Sequence, residues 1–397
     1  MLQKIENMLK TQLYRKQELD FRIWIFSSVD NCNFNYNSRY LFLYVREQLP
    51  EIKPIFVIND MKKRQQLTEQ YGEGYFIDGL CIDGIKTILR AGVWFTSAGL
   101  PVYEWNGHPD RIVVNLWHGI PLKKIVLMEE RQSFFRRFYF EHVFSRKYTY
   151  ILTTSTHLVP IMSKSFAVPV ECIKVWGQPR NDILWETPVK SDVHRIMGIE
   201  EGASLILYAP TYREYGDTVL FPFPDNDKEE MERFLQEKNC HICIRMHLKE
   251  QGGIEKYSGS HIHFMNEDVI DDIALWLNCF EVLITDYSSI YLDYLLLNKP
   301  VIFLPYDQRE YIQKRGMNFP YEEVTPGPKP ESQKEFLECV EKALAGQDGY
   351  ASKRETCNSF FNQIKEPCSY RICDYIMNDI KINYSRYPRG NGNADVY

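Results

Sequence analysis

Residues 281–294 read EVLITDYSSIYLDY. Val282-Leu283-Ile284 is a short apolar run, the pattern of a strand buried on both faces. Thr285-Asp286-Tyr287-Ser288-Ser289 follows at once, and Ile290–Leu297 then reads as helix. A strand, a hydroxyl-rich turn and a helix start place free backbone N–H groups beside side-chain donors, and such a site holds a phosphate well. Ser288 and Ser289 fall at or next to the N-cap. The plainer alternative is that one serine only caps the helix.

Outward from this stretch the plan repeats. Upstream, Leu205–Ala209 reads as a strand leading into Pro210-Thr211-Tyr212-Arg213. Cys240–Arg245 leads into His247, and His261–Met265 is a further short strand. Asp271–Asn278 is helical. Downstream, Val301–Leu304 is a strand, 306–329 a long loop with Gly and Pro, and 332–344 and about 352–381 are helices. The first half alternates in the same way. Strands are expected at Arg22–Ser27, Ile55–Ile58, Val93–Thr96, Ile112–Trp117, Tyr150–Thr154 and Cys172–Trp176. Helices are expected at Arg39–Gln48 and Met61–Tyr71, and Asp30–Ser38 is an Asn-rich turn. Strands alternating with helices predict an α/β fold with mainly parallel sheets, arranged as two Rossmann-like domains facing a cleft. The expected division is an amphipathic helix at 1–20, an N-terminal domain at 21–190, a C-terminal domain at 200–345, helices at 346–383 and a loose tail at 384–397. The apolar pattern lapses over 186–202, where the boundary falls.

The chain has 397 residues, 44% of them apolar and 14% aromatic, enough to build an extensive core. A formal net charge of −6 argues against a general nucleic-acid binder, which needs a positive field. The ten cysteines form no paired framework. Cys240 and Cys243 lie three apart in a strand and so point to opposite faces, which disfavours a metal or redox role. Cys32, Cys81, Cys172 and Cys279 read as small buried apolar residues in a reducing compartment. No signal peptide and no membrane-spanning run is visible, so a cytoplasmic protein is expected. Leu2, Ile5, Leu9 and Leu13 give the first helix an apolar stripe, which either packs on the body or rests on a membrane. Residues 131–150 hold eight aromatics and five Lys or Arg, including Arg136, Arg137, Arg146 and Lys147, against one acid, Glu141. This suits a membrane interface or an anionic polymer; the alternative is a buried helix with charged edges.

The notable polar groups fall just after predicted strands: His118, then Arg180, Asn181 and Asp182, then Thr211 and Arg213, then His247, then Asp286, Ser288 and Ser289. In parallel sheets such positions gather at the carboxyl ends, where ligands bind. No nucleophilic Cys–His pairing, zinc-protease motif, serine nucleophile elbow or dinucleotide fingerprint occurs. Arg213, His247 and the two serines are phosphate-binding types, and His118 is suited to proton transfer near neutral pH. The chemistry sketched is a phosphorylated donor in the second half, an acceptor in the first, and His118 as base.

Taken together the motifs resemble one family. Trp117-His118-Gly119-Ile120-Pro121-Leu122-Lys123-Lys124, Gly177-Gln178-Pro179-Arg180-Asn181-Asp182, Leu207–Arg213, Arg245-Met246-His247 and Thr285–Ser289 with Asp293 are similar, in order, to the motifs of CDP-glycerol glycerophosphotransferases. Tyr306-Asp307 and Arg315-Gly316 continue the likeness. Ile120 and Gln178 depart from that family's Thr and Tyr. The resemblance implies a glycosyltransferase-B-like fold and a transferase. A CDP-glycerol or CDP-ribitol donor would be attacked at its β-phosphorus by a hydroxyl of a teichoic-acid or capsule polymer, or of its lipid-linked primer, and CMP would leave. No metal or cofactor is implied. By motif, His118 is the expected base, with His247 as second catalytic group. Thr211, Arg213, Arg245, His247, Asp286, Ser288, Ser289 and Asp293 are expected on the donor, and Gly119, Lys123, Lys124, Arg180 and Asp182 toward the acceptor or the cleft. The expected partners are the CDP-polyol, an anionic or glycan acceptor, the inner face of the cell membrane and other envelope-polymer enzymes, with no nucleic acid. The rivals are a nucleotide-sugar glycosyltransferase on the same fold and a non-catalytic polymer-binding protein.

Overall fold

The computed structural model describes residues 2–102, 104, 107–129, 134–141, 145–213, 217–246, 257–265 and 269–383. Contacts divide the chain into two compact units. The first is Met1–His118 with Lys147–Tyr150 and Pro367–Tyr397, and the second is Gly119–Arg146 with Ile151–Glu366.

The first unit opens with α1 (Leu2–Tyr14) and alternates β1 (Asp20–Ser27), α2 (Tyr36–Gln48), β2 (Lys53–Val57), α3 (Met61–Tyr71), β3 (Phe76–Ile77), α4 (Ile82–Arg90), β4 (Ala91–Thr96) and β5 (Ile112–Asn115). The strands are parallel, in the order β3-β2-β1-β4-β5. Trp24, Ile25 and Phe26 of β1 and Phe95 of β4 are fully buried, because central parallel strands are covered on both faces. Phe26 stacks on Phe95 at 5.1 Å and meets Phe42 of α2 edge-on at 5.6 Å. These are favoured aromatic geometries that fix the helix on the sheet.

Two helices correct the sequence reading. Helix α4 was not expected, since a glycine lies in it and a cysteine caps it. Cys81 Sγ accepts from the Gly84 N–H, and a Cβ at Gly84 would meet the Asp78 carbonyl at 1.8 Å. Ile85, Ile88 and Leu89 bury its inner face. Helix α1 lies against α4, but through a polar face. Asn7 and Thr11 are buried, with Asn7 Nδ2 donating to the Gly79 carbonyl at 2.9 Å, while Leu9 and Leu13 are 63% and 74% exposed. The apolar stripe is therefore not the packing face where it is described.

The second unit contains the short helix α5 (Phe134–Tyr139), then the parallel pair β6 (Tyr150–Thr153) and β7 (Ile173–Val175) around α6 (Val159–Phe166). The first residue of β6 counts with the first unit. Helix α7 (Lys190–Met197) occupies the span where the apolar pattern lapses. A second parallel sheet follows, built from β8 (Ser204–Ala209), β9 (Cys240–Ile244), β10 (Ile262–Phe264), β11 (Val282–Thr285) and β12 (Val301–Phe303), in the order β10-β9-β8-β11-β12. Around it lie α8 (Lys228–Glu237), α9 (Ile290–Tyr294), α10 (Gln308–Arg315), α11 (Tyr321–Val324), α12 (Gln333–Leu344) and α13 (Ala351–Phe361). The last helix, α14 (Ser369–Asn383), belongs to the first unit.

Alternation on the strands splits the core of this sheet into two faces. Leu205, Leu207, Cys243 and Leu283 pack on one, and Ile206, Tyr208, Cys240 and Ile284 on the other. Cys240 and Cys243 thus point to opposite faces. Cys279 is buried as expected, but Cys32 and Cys81 are exposed and Cys172 is half-buried. The expected loop at 306–329 carries α10 and α11. Helix α10 (QREYIQKR) buries only Tyr311, so it has no apolar stripe to read. The single helix expected near 352–381 is two, α13 and α14, parted around Pro367.

Three imidazoles line the outer part of this sheet. His241 Nδ1 and His263 Nε2 are 2.9 Å apart, His261 stacks on His241 at 4.7 Å, and Glu232 of α8 bonds His261 at 3.1 Å. Burial, then the neighbouring charges of His263 and His261, push His241 from the ordinary 6.5 down to about 4. The unfolded chain therefore takes up this proton first on acidification. Stability present above pH 6.5 drains away as the pH falls toward 4. The thermal midpoint should fall between about pH 7 and pH 4.5, and His241→Gln should flatten that slope. An unchanged slope in the variant would clear His241.

Candidate functional site

In the first unit the carboxyl ends of β1, β4 and β5 converge. The chain supplies Ser27-Ser28, Ser97 and Asn115-Leu116-Trp117-His118 there, together with the first turn of α2. His118 Nδ1 lies 2.7 Å from the Ser97 carbonyl. A carbonyl only accepts, so Nδ1 carries the proton and Nε2 carries the lone pair. The Ser97 hydroxyl bonds Ser38 N at 3.0 Å and Ser38 Oγ at 2.8 Å, and Ser38 Oγ also donates to the Ser27 carbonyl at 2.7 Å. Asn37 Nδ2 donates to the carbonyls of Leu116 (3.0 Å) and Trp117 (2.9 Å). The base candidate thus hangs on a buried Ser–Asn network. The sequence reading missed Asn37, Ser38 and Ser97; their signal was present in the Asn-rich turn and in the polar pair that ends β4.

In the second unit the turn after β11 anchors a charged hub. Asp286 accepts from Thr211 N at 2.8 Å and pairs with Arg213 Nη2 at 2.9 Å. Asp307 takes Arg213 Nε at 2.8 Å and Nη2 at 3.0 Å, and also the Tyr287 hydroxyl at 3.0 Å. The guanidinium lies about 5 Å from the ring centres of Tyr287, Tyr306 and Tyr311. Burial pulls the Arg213 pKa down, but the Asp307 hydrogen bond and the Asp286 charge outweigh it, so the net shift is upward. Arg213 was expected to grip a donor phosphate; its fork is instead occupied by two carboxylates. The hub forms one wall of a cavity of about 350 Å³ whose lining includes Lys123, Thr211, Tyr306, Tyr311 and Arg315. The Thr211 hydroxyl is buried without a hydrogen-bond partner among the described residues. Lys123 Nζ reaches the Tyr311 hydroxyl at 3.3 Å.

A third cluster forms at α9. Asp293 accepts from Gln178 Nε2 at 2.8 Å, from Asn181 Nδ2 at 3.0 Å and from Arg180 Nη2. Asp293 was expected on the donor; it is engaged in holding the 178–181 turn against α9. Ser289 is the N-cap of α9, and its hydroxyl makes no capping bond. Ser288 Oγ accepts from Ile290 N at 3.4 Å. A Cβ on Gly119 would come within 3.3 Å of Ser289 Oγ and 3.6 Å of Arg180 Nη2, so these three residues meet closely because residue 119 has no side chain. Asp182 lies in the 3-10 turn Pro179–Trp185. Lys124 N bonds the Gly316 carbonyl at 3.1 Å, and Asn318 bonds the carbonyls of Pro121, Leu122 and Lys123, which seats the 119–124 segment.

Arg245 bonds the carbonyls of Met265 and Ile270 and clamps the end of β10. His247 lies outside the described residues, as do the side chains of Arg136 and Arg146. Arg137 is exposed and paired with Glu141 at 2.8 Å. Lys147 is not a surface cation. It is half-buried, bonds the Glu104 carbonyl, and has its pKa pushed down by burial despite the Glu104 charge. Phe134 and Phe138 of α5 are 77% and 52% exposed, which removes the buried-helix reading for that turn.

Residues 8–378 match the family model of CDP-Glycerol:Poly(glycerophosphate) glycerophosphotransferase. The chain belongs to this family. It is 26% identical over 364 residues to a teichoic acid poly(glycerol phosphate) polymerase of Bacillus subtilis (strain 168), covering 85% of this chain and 47% of that one. It is 25% identical to the teichoic acid ribitol-phosphate polymerase TarL of Staphylococcus aureus (strain NCTC 8325 / PS 47), covering 87% and 67%. A teichoic acid glycerol-phosphate transferase of the same organism is 25% identical, covering 88% and 92%. The chain thus spans about half the length of the first of these relatives. The wall teichoic acid polymerase TagF shares the fold, with a TM-score of 0.75 at 20% identity, covering 96% of this chain and 97% of that one. A UDP-GlcNAc 2-epimerase from Neisseria meningitidis is similar at 0.51 and 11%, covering 90% and 99%. The fold is glycosyltransferase-B-like, and members of the family are transferases.

Removing the Asp293 carboxylate takes the shared acceptor from three donors, one of them charged, in a buried site. Asp293→Ala should lower stability by about 3 kcal/mol in urea unfolding. A loss below about 1 kcal/mol would show that the turn is held by other contacts.

Proposed function

We propose that this chain moves glycerol phosphate or ribitol phosphate from a CDP-linked donor to a hydroxyl of a cell-surface polymer, or of its lipid-linked primer. The observation that carries the reading is His118, held as the Nδ1–H tautomer by the Ser97 carbonyl within a chain of this family. The acceptor hydroxyl loses its proton to Nε2 as its oxygen forms a bond to the β-phosphorus. The bond from that phosphorus to the bridging oxygen breaks, and CMP leaves with the electron pair. Charge on the transferring phosphoryl group would be met by Arg180, Ser289 and the cations near the Thr211 cavity, and no cofactor enters the proposal. Arg213 and Asp293 act one step back, by holding the walls in place.

The acceptor in this reading is carried on lipid, and the protein works at the inner membrane surface without crossing it. Among the described residues no helix is long and apolar enough to span a bilayer. The exposed Leu9 and Leu13 of α1, and Phe134, Arg137 and Phe138 of α5, are the types that enter a headgroup layer. Reversing the charge at Arg136 and Arg137 should weaken binding to anionic liposomes in a flotation assay. Equal flotation would remove this segment from the membrane contact.

The direct test is CMP release from CDP-glycerol and from CDP-ribitol with a short polyol-phosphate acceptor. His118→Ala should lower acceptor-dependent release at least ~100-fold, the usual scale for a lost general base. Near-normal release from folded His118→Ala would end that role. Silence of the wild type with both donors, followed by turnover of a nucleotide sugar, would move the protein to glycosyl transfer.

A further inference from the structure

Two aromatic rings meet His118, and both stand on unusual backbone. The Trp117 ring lies 4.1 Å from the imidazole, tilted by 36°, and the Tyr36 ring lies 5.2 Å away, tilted by 38°. Trp117 has φ of +53° and Tyr36 has φ of +58°. Glycine, and to a lesser degree Asn and Asp, occupies this left-handed region without much cost; a bulky aromatic residue does not. Asp30, Asn31, Asn239 and Asn298 also have positive φ and are of the types that tolerate it, while Ala167, Val126 and Phe221 carry the same strain elsewhere among the described residues. Tyr36 and Trp117 are different, because each carries the strain next to the same imidazole.

The strain is held in place by bonds already described. Asn37, the neighbour of Tyr36, donates to the carbonyls of Leu116 and Trp117. Asn115 Oδ1 accepts from Trp117 N at 2.9 Å. Ser38 grips Ser97, whose carbonyl takes the Nδ1 proton. The first turn of α2 is therefore knitted to the strand end that carries the base, and Tyr36 is the residue of that turn whose ring covers the imidazole. Strain of this kind persists where surrounding contacts over-determine it, and it is a reason to look for a role.

We infer that Tyr36 is a positioning residue for His118: its left-handed backbone is kept, at a cost in stability, so that its ring fixes the plane of the imidazole and the direction of Nε2. The inference rests on the reading of His118 as the base of the transfer reaction. It adds a residue from the Asn-rich turn that no motif of the chain pointed to. The ring acts by its tilted contact with the imidazole, so the hydroxyl is dispensable to it.

Three variants test this. Tyr36→Ala and Tyr36→Gly both remove the ring, but only glycine relieves the backbone. Tyr36→Phe keeps the ring. Tyr36→Gly should melt above Tyr36→Ala, while both lose at least about tenfold in kcat with KM for the CDP-polyol unchanged. Tyr36→Phe should stay within about twofold of wild type. A kcat that recovers along with stability in the glycine variant would overturn the inference in favour of a purely structural role. So would full activity in either ring-less variant, or loss in Tyr36→Phe. Long-range ¹⁵N–¹H correlation spectra give an arm that does not need turnover. The His118 signals should show the Nδ1–H tautomer in wild type and Tyr36→Phe, and averaging of the two tautomers in Tyr36→Gly. If the wild type released no CMP, the functional reading would fail, and the spectra alone would decide the role of Tyr36.

Discussion

The second unit depends on one buried cation. Arg213 sits between Asp286 and Asp307, about 5 Å from the rings of three tyrosines. Asp286 belongs to the turn after β11, Arg213 to the turn after β8, and Asp307 to the turn after β12. Three neighbouring strand ends are therefore tied by one guanidinium. A buried pair of this sort adds less net stability than its contacts suggest, because both charges were dehydrated to form it. What it does supply is geometry. Removing Arg213 would leave two carboxylates together without their cation, so the three turns are tied in one arrangement beside the cavity.

The same logic recurs at two other places with weaker groups. Asp293 gathers three donors from the 178–181 turn and so brings Arg180 beside Ser289 and Gly119. Around His118 the work is done by neutral hydroxyls and amides: Ser38, Ser97 and Asn37. For the proposed proton transfer, neutral partners serve the imidazole better, since a fixed charge beside it would bias one protonation state. The proposed substrate-facing residues are thus backed by others held in hydrogen bonds and ion pairs within the fold.

Much of the architecture was legible in the chain. Apolar runs such as Val282–Thr285 and Leu205–Ala209 declare buried parallel strands, and the polar residues directly after them fall at the carboxyl ends where parallel sheets bind ligands. What escaped has local physical reasons. Helix α4 hides behind a cysteine cap and an internal glycine, and α10 behind a surface composition with one buried side chain. Helix α1 reads as amphipathic, yet the buried residues of the helix include Asn7, bonded to the Gly79 carbonyl, and Thr11, while Leu9 and Leu13 stay exposed. Lys147 reads as part of a basic surface and is half-buried beside Glu104.

The sequence by itself determined the alternating strand plan and the family, because strand and helix periods are local and because five motifs in order leave little freedom. It also placed the chemical groups after strands, where parallel topology requires them. The roles of those groups were decided only by tertiary structure. Arg213 and Asp293 look like ligands in a motif, but whether a charged side chain faces substrate or another side chain depends on partners distant in the chain, Asp307 for the one and Gln178, Arg180 and Asn181 for the other. Likewise, which nitrogen of His118 carries the proton is set by the Ser97 carbonyl, and which ring covers it by Tyr36. Neither contact is encoded in the spacing of residues around 118, since both arise from strands and turns that meet only when the sheet has formed.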